Sequence, residues 1–136
     1  MIKKINHIAI AVWDIDKAIA FHRDILKLDF HGYEELPEIG CAVAFFSCGE
    51  VEVELVSPIG ERAFVKKHLE TVGEGLYHIA YEVDSIQAAL DYFAKENIPL
   101  RSPAPKPGSR NTRVGYLEAE GACGVITELV ELAGKN

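Results

Sequence analysis

The stretch His7-Ile8-Ala9-Ile10-Ala11-Val12 returns as His78-Ile79-Ala80-Tyr81-Glu82-Val83, an offset of 78 − 7 = 71 positions. A second phrase, Val53-Glu54-Leu55-Val56, returns as Thr127-Glu128-Leu129-Val130, an offset of 128 − 54 = 74. One unit is therefore repeated, with a His early and a Glu late in each copy. Alternation reads Ile5 to Val12 as a strand, with His7, Ala9 and Ala11 on one face and Ile8, Ile10 and Val12 on the other. It likewise separates His78 and Ala80 from Ile79, Tyr81 and Val83.

Working outward, Asp14 or Asp16 caps a helix running to about Leu28, with Ala18, Ile19, Phe21, Ile25 and Leu26 as its apolar stripe. That stripe covers the Ile8/Ile10/Val12 face, which leaves His7 on the opposite face beside small alanines. Strands are expected at Phe30 to Leu36, Cys41 to Ser47 and Val51 to Val56, with Gly49-Glu50 as a turn. In the last of these Glu52, Glu54 and Val56 share a face. A short helix from about Arg62 to Thr71 places Val65, Leu69 and Val72 on one side, and Gly73-Glu-Gly75 ends it. The second copy repeats the order. It has a strand at Tyr77 to Val83, a helix capped by Asp84 or Ser85 through about Asn97, and strands near Arg113 to Leu117 and Gly124 to Leu132. Between them lies a Pro-, Lys- and Arg-rich loop, where Pro103, Pro105 and Pro107 interrupt the place of one strand.

The expected class is α+β: two tandem βαβββ modules forming a metal-containing β-cup. Module 1 spans about 1–58, a linker helix about 59–75 and module 2 about 76–136, all within a single domain of 136 residues. With 49 % hydrophobic residues the chain can bury a core, and its net charge of −7 argues against non-specific nucleic-acid binding. There is no apolar run of the roughly 18 residues a membrane span needs, and no signal-peptide core precedes the first strand. Cys41, Cys48 and Cys123 show no C-x-x-C spacing, and an odd number cannot all pair within the chain. Free thiols in a reducing cytoplasm are expected.

Two His and two Glu, placed by duplication, are the candidate site. Glu128 shares its strand face with Ile126 and Val130, where a carboxylate is costly to bury unless something pairs with it. A lone His in a strand is more often a core or rim residue, and a lone Glu is usually solvated. Four good ligands at duplicated positions instead favour one divalent ion bound by His7, Glu54, His78 and Glu128. Such a donor set suits Zn²⁺, Co²⁺, Ni²⁺, Mn²⁺ or Fe²⁺. His22, His31 and His68 are read as surface or packing residues. Glu82 shares the His78 face and is read as a rim carboxylate or a second group in the cup. The aromatics Phe21, Phe45, Phe46, Tyr81, Tyr92 and Phe93 are read mostly as core. Lys106, Arg110 and Arg113 form a basic loop on an acidic chain: an anion clamp for phosphate or carboxylate, or an ordinary solvated loop.

These residues resemble the vicinal-oxygen-chelate (glyoxalase/bleomycin-resistance fold) superfamily, and within it the methylmalonyl-CoA epimerases. The resemblance is carried by His7-Ile-Ala-Ile-Ala-Val12, Val53-Glu-Leu-Val-Ser-Pro58, Gly73-Glu-Gly-Leu-Tyr-His-Ile-Ala-Tyr-Glu-Val83 and Gly124-Val-Ile-Thr-Glu-Leu-Val-Glu131. It implies metal ligands at His7, Glu54, His78 and Glu128, a homodimer, and epimerisation of methylmalonyl-CoA or a similar malonyl-type thioester. The implied chemistry removes and returns the α-proton while the ion holds the enolate, with Glu54 and Glu128 as the bases and Lys106 and Arg110 as substrate contacts. The chain departs from the family at Pro37-Glu-Ile-Gly40, where Pro-Glu-Gln-Gly is usual. It also departs at Val43, where a few epimerases carry a glutamate base, and at Tyr116-Leu-Glu-Ala119, where Phe-Leu-His-Pro is usual. Two other functions compete: a glyoxalase I-type lactoylglutathione lyase, and a non-catalytic small-molecule binding protein of the same fold.

Overall fold

The computed structural model describes residues 1–134. They group into two compact units, His7–Tyr77 on one side and Met1–Asn6 with the chain from His78 onward on the other.

In the unit His7–Tyr77 the strand order is β2(Asp29–Leu36), β3(Cys41–Cys48), β4(Val51–Pro58), β1(Ile2–Ala11). β1 runs parallel to β4, and the other pairs are antiparallel. The parallel pairing needs a long crossover, and α1(Ile15–Ala20) begins it. Asp14 caps α1 by accepting from the Lys17 N–H. Ile19 then packs with Val12, Ala44, Phe46 and Leu55, the cover expected for the Ile8/Ile10/Val12 face.

The expected stripe fails beyond Ala20. Residues Phe21–Ile25 continue as a π-helical turn, which spends an extra residue per turn and shifts the register. Ile25 and Leu26 are therefore exposed, as is Phe21, while His22, four residues after Ala18 and three after Ile19, stays on the inward face. The His22 ring lies 5.5 Å from that of Phe46, and its Nδ1 is 2.8 Å from the Ala18 carbonyl oxygen. His22 is a packing residue.

α2(Phe64–Thr71) buries Val65 and Leu69 as expected, but Val72 is exposed because the helix ends before it. Gly73 and Gly75 take φ of +99° and +142°, conformations that side chains disfavour. Between them the Glu74 carboxylate accepts the Trp13 N–H at 2.8 Å. The phrase Gly73-Glu-Gly75 therefore reverses the chain and ties it to the end of β1.

The other unit repeats the plan: β5(Gly75–Val83), β8(Ile126–Glu131), β7(Arg113–Leu117), β6(Lys106–Pro107), with β5 parallel to β8. β6 is two residues long, as its prolines foretold. α3(Ile86–Lys95) is capped by Ser85, whose Oγ accepts the Ala88 N–H, and the Glu131 carboxylate accepts the Ile86 N–H at 2.8 Å. Ile86, Ala89 and Leu90 are buried against Val83, Leu117 and Leu129. Tyr92 falls off that stripe and is exposed, as is Ala94. Gly115 lets α3 come close, since a Cβ there would lie 2.8 Å from Leu90 Cδ2. Gly115 and Leu117 thus face the helix, and alternation turns Val114 and Tyr116 to the opposite face with Ala80 and Val130.

Among the described residues no helix is long and apolar enough to cross a membrane. All three cysteines are free thiols, Cys41 buried and the others exposed.

Candidate metal centre

Register explains how each His meets its Glu. In the β1–β4 pair Ala9 is the partner of Glu54, two residues after His7. In the β5–β8 pair Ala80 is the partner of Glu128, two residues after His78. Both alanines are fully buried, and a side chain that short leaves room for the carboxylate beside it. The imidazole then reaches it diagonally, a contact open to long side chains in neighbouring strands. His7 Nε2 lies 3.5 Å from Glu54 Oε2, and His78 Nε2 lies 2.8 Å from Glu128 Oε1. The four residues are 5 %, 6 %, 3 % and 5 % exposed in chain order, so water does little to stabilise their charges.

The donor set fits a divalent ion. Each unit brings one buried His to one buried Glu, His7 to Glu54 and His78 to Glu128. Two ligands about 2.1 Å from a common ion are roughly 3.0 Å apart at 90°, 3.4 Å at a tetrahedral angle and 4.2 Å across it. The pairs at 2.8 and 3.5 Å sit close to the first two values.

Glu82 is resolved differently. It is also buried, at 7 % exposure, yet its Oε2 lies 3.4 Å from the ammonium of Lys3, which also approaches Asp84. A local cation balances this third carboxylate, whereas imidazoles meet Glu54 and Glu128. His31 is partly exposed and lies 2.8 Å from Glu52, and His68 packs edge-on to Tyr77 on the linker helix. Neither belongs to the group of possible ligands.

The basic loop is exposed. Lys106 pairs across from Val114 on β6, and Arg113 approaches Glu131 at 3.5 Å. Arg110 and Asn111 take positive φ of 52° and 60°, a conformation that costs non-glycine residues about 1–3 kcal/mol and marks many ligand-binding loops. Sequence reading missed Tyr116 and Arg101. The Tyr116 ring lies 5.8 Å from that of His78, nearly perpendicular to it, and the Arg101 guanidinium sits 4.7 Å over the Tyr116 ring. The signal was present in the departure Tyr116-Leu-Glu-Ala119, but cross-strand register was needed to interpret it.

Residues 6–116 match the glyoxalase/bleomycin resistance protein/dioxygenase superfamily. The chain belongs to that superfamily. It is 35 % identical over 127 residues to the human mitochondrial methylmalonyl-CoA epimerase, covering 93 % of this chain and 72 % of the relative. It is 33 % identical over 134 residues to the ethylmalonyl-CoA/methylmalonyl-CoA epimerase of Cereibacter sphaeroides, covering 97 % of this chain and 100 % of the relative. A solved methylmalonyl-CoA epimerase in complex with methylmalonyl-CoA and NH4+ superimposes with a TM-score of 0.91 at 27 % identity, covering 98 % of this chain and 97 % of that one. The α+β class and the two tandem βαβββ modules of the glyoxalase fold are borne out, and the superfamily member is an enzyme of the epimerase kind.

Proposed function

We propose that this single-domain enzyme interconverts the epimers of methylmalonyl-CoA or a similar malonyl-type CoA thioester. The observation that carries the reading is a buried His–Glu pair in each copy, His7 with Glu54 at 3.5 Å and His78 with Glu128 at 2.8 Å, in a chain alignable almost end to end with such epimerases. His7, Glu54, His78 and Glu128 would hold one divalent ion of the Co, Zn, Ni or Mn class. When bound, that ion supplies Lewis-acid stabilisation of the negative charge that develops on a carbonyl oxygen as the neighbouring carbon loses its proton.

The chain's own residues supply the rest. Glu54 and Glu128 are each buried beside an imidazole. Each is assigned the proton of one face: one carboxylate takes it from the α-carbon, and the other returns a proton to the opposite face. Lys106 and Arg110, exposed on a loop with strained backbone, are assigned to the anionic groups of the thioester. Resemblance to the epimerases supports a homodimer, and three free thiols support a reducing compartment such as the cytoplasm.

The test is α-proton exchange in heavy water. Metal-loaded protein is expected to wash deuterium into the α-position of methylmalonyl-CoA and to racemise a single epimer. Conversion of methylglyoxal with glutathione, without exchange on the thioester, would replace this reading with the lyase. Tight ligand binding by metal-free protein with neither reaction would replace it with a binding protein.

A further inference from the structure

We propose that Tyr116, clamped beneath Arg101, is a positioning residue that holds the His78 imidazole in line with Glu128. A histidine's outer torsion is intrinsically broad, so the direction of Nε2 must be set by its surroundings. The β7–β8 register places Tyr116 directly across from Glu128. The ring rises on the same face and meets the His78 ring edge-on at 5.8 Å and 71°. A flat ring in that place closes one side of the imidazole's rotation while leaving Nε2 pointed at Glu128 Oε1, 2.8 Å away.

Tyr116 is itself fixed. The Arg101 guanidinium lies 4.7 Å over its ring, a cation–π contact with the arginine side chain only 17 % exposed. Arg101 is held in two ways. Its backbone N–H donates to the Tyr116 carbonyl at 3.0 Å, and its Nε donates to Glu118 Oε1 at 3.1 Å. The order of support is thus Glu118, Arg101, Tyr116, His78, Glu128, all within one compact unit. Groups that orient a metal-ligating histidine commonly change metal affinity 10–100-fold when removed, so a ring held this firmly should affect the ligand beside it.

This inference rests on the metal reading for its affinity arm only. In metal-free protein with labelled histidines, the His78 ring signals (assigned by loss in His78→Gln) are expected to be single and sharp. Tyr116→Ala should broaden or split them while leaving the His7 signals in place, and should raise the Co²⁺ dissociation constant about tenfold or more. Tyr116→Phe, which keeps the ring, should restore both. Arg101→Met should give a smaller change of the same kind, and it decides the matter if Tyr116→Ala does not fold. Unchanged His78 signals together with Co²⁺ affinity within twofold of the parent would overturn the role of Tyr116. Failure of the parent to bind Co²⁺ would overturn the metal reading instead, and the ring signals would still decide the positioning claim.

Discussion

The two copies of the repeat place an aromatic ring at the same point and then surround it differently. Phe45 is the cross-strand partner of Glu54, and Tyr116 is the cross-strand partner of Glu128. Phe45 is 2 % exposed, has a stacked His31 ring 6.3 Å away, and His31 in turn approaches Glu52 at 2.8 Å. Tyr116 is half-buried and lies beneath Arg101, which Glu118 holds. Duplication preserved the backbone register and the demand for a ring beside each carboxylate. It did not preserve the electrostatics. Next to the Phe45–Glu54 pair the register sets Val43 across from Val56, whereas the ring across from Glu128 lies under the permanent cation of Arg101. The two proposed bases need not be equal, and this difference is where inequality would arise.

The largest test separates the two carboxylates. Glu54→Gln and Glu128→Gln are each expected to cut epimerisation by about 10²–10⁴, the usual scale for losing a general base. Solvent exchange should survive in each for one epimer only, and for opposite epimers in the two variants. Washout measured by NMR on each pure epimer checks this. Exchange of both epimers by both variants would remove these carboxylates from the proton path. His7→Ala and Glu128→Ala should go further, yielding folded protein with neither bound metal nor turnover.

Most of the site was legible because alternation within a strand survives folding. The faces of His7, Glu54, His78 and Glu128 follow from it directly, and the small residues Ala9 and Ala80 announced the space beside the two carboxylates. The helices were legible through their caps, Asp14 and Ser85. What escaped was whatever depends on non-periodic backbone or on pairing between strands. The π-turn at Phe21–Ile25 breaks the 3.6-residue period, so the stripe could not be carried on to Ile25 and Leu26, whereas His22, four residues after Ala18 and three after Ile19, keeps to it. Tyr116 and Arg101 became neighbours of His78 only once β7 was set against β8, and no single strand's pattern contains that register. Glu82 lay on the face predicted for it, but its pairing with Lys3 joins residues 82 − 3 = 79 positions apart, on the first strand and the fifth.

A middle-sized effect compares the two rings. Phe45→Ala empties a fully packed position and should cost about 3–5 kcal/mol of stability, a fall in thermal midpoint of about 12–20 °C for a chain of this size. Tyr116→Ala removes a half-exposed ring and should lower the midpoint far less, while damaging Co²⁺ binding more than its stability loss can explain. Thermal denaturation and metal titration of the two variants, side by side, separate a ring that fills the core from one that steers a ligand. If both lose stability and affinity in the same proportion, the two rings do the same work and the asymmetry between the copies is only apparent.

The smallest effect concerns what lies on each ring. His31 and Glu52 form a pair with side chains 36 % and 22 % exposed, and partly solvated pairs of this kind contribute about 0.2–1 kcal/mol, less in salt. His31→Gln should therefore shift the thermal midpoint by about 1–4 °C and leave Co²⁺ affinity within twofold, because Phe45 is held by its own burial. Arg101→Met should do the reverse: little change in midpoint and a measurable loss of metal affinity, because Tyr116 depends on the guanidinium above it. Titrating both variants at low and high salt checks the contrast. A tenfold loss of affinity in His31→Gln would show that the first copy too is steered through its ring.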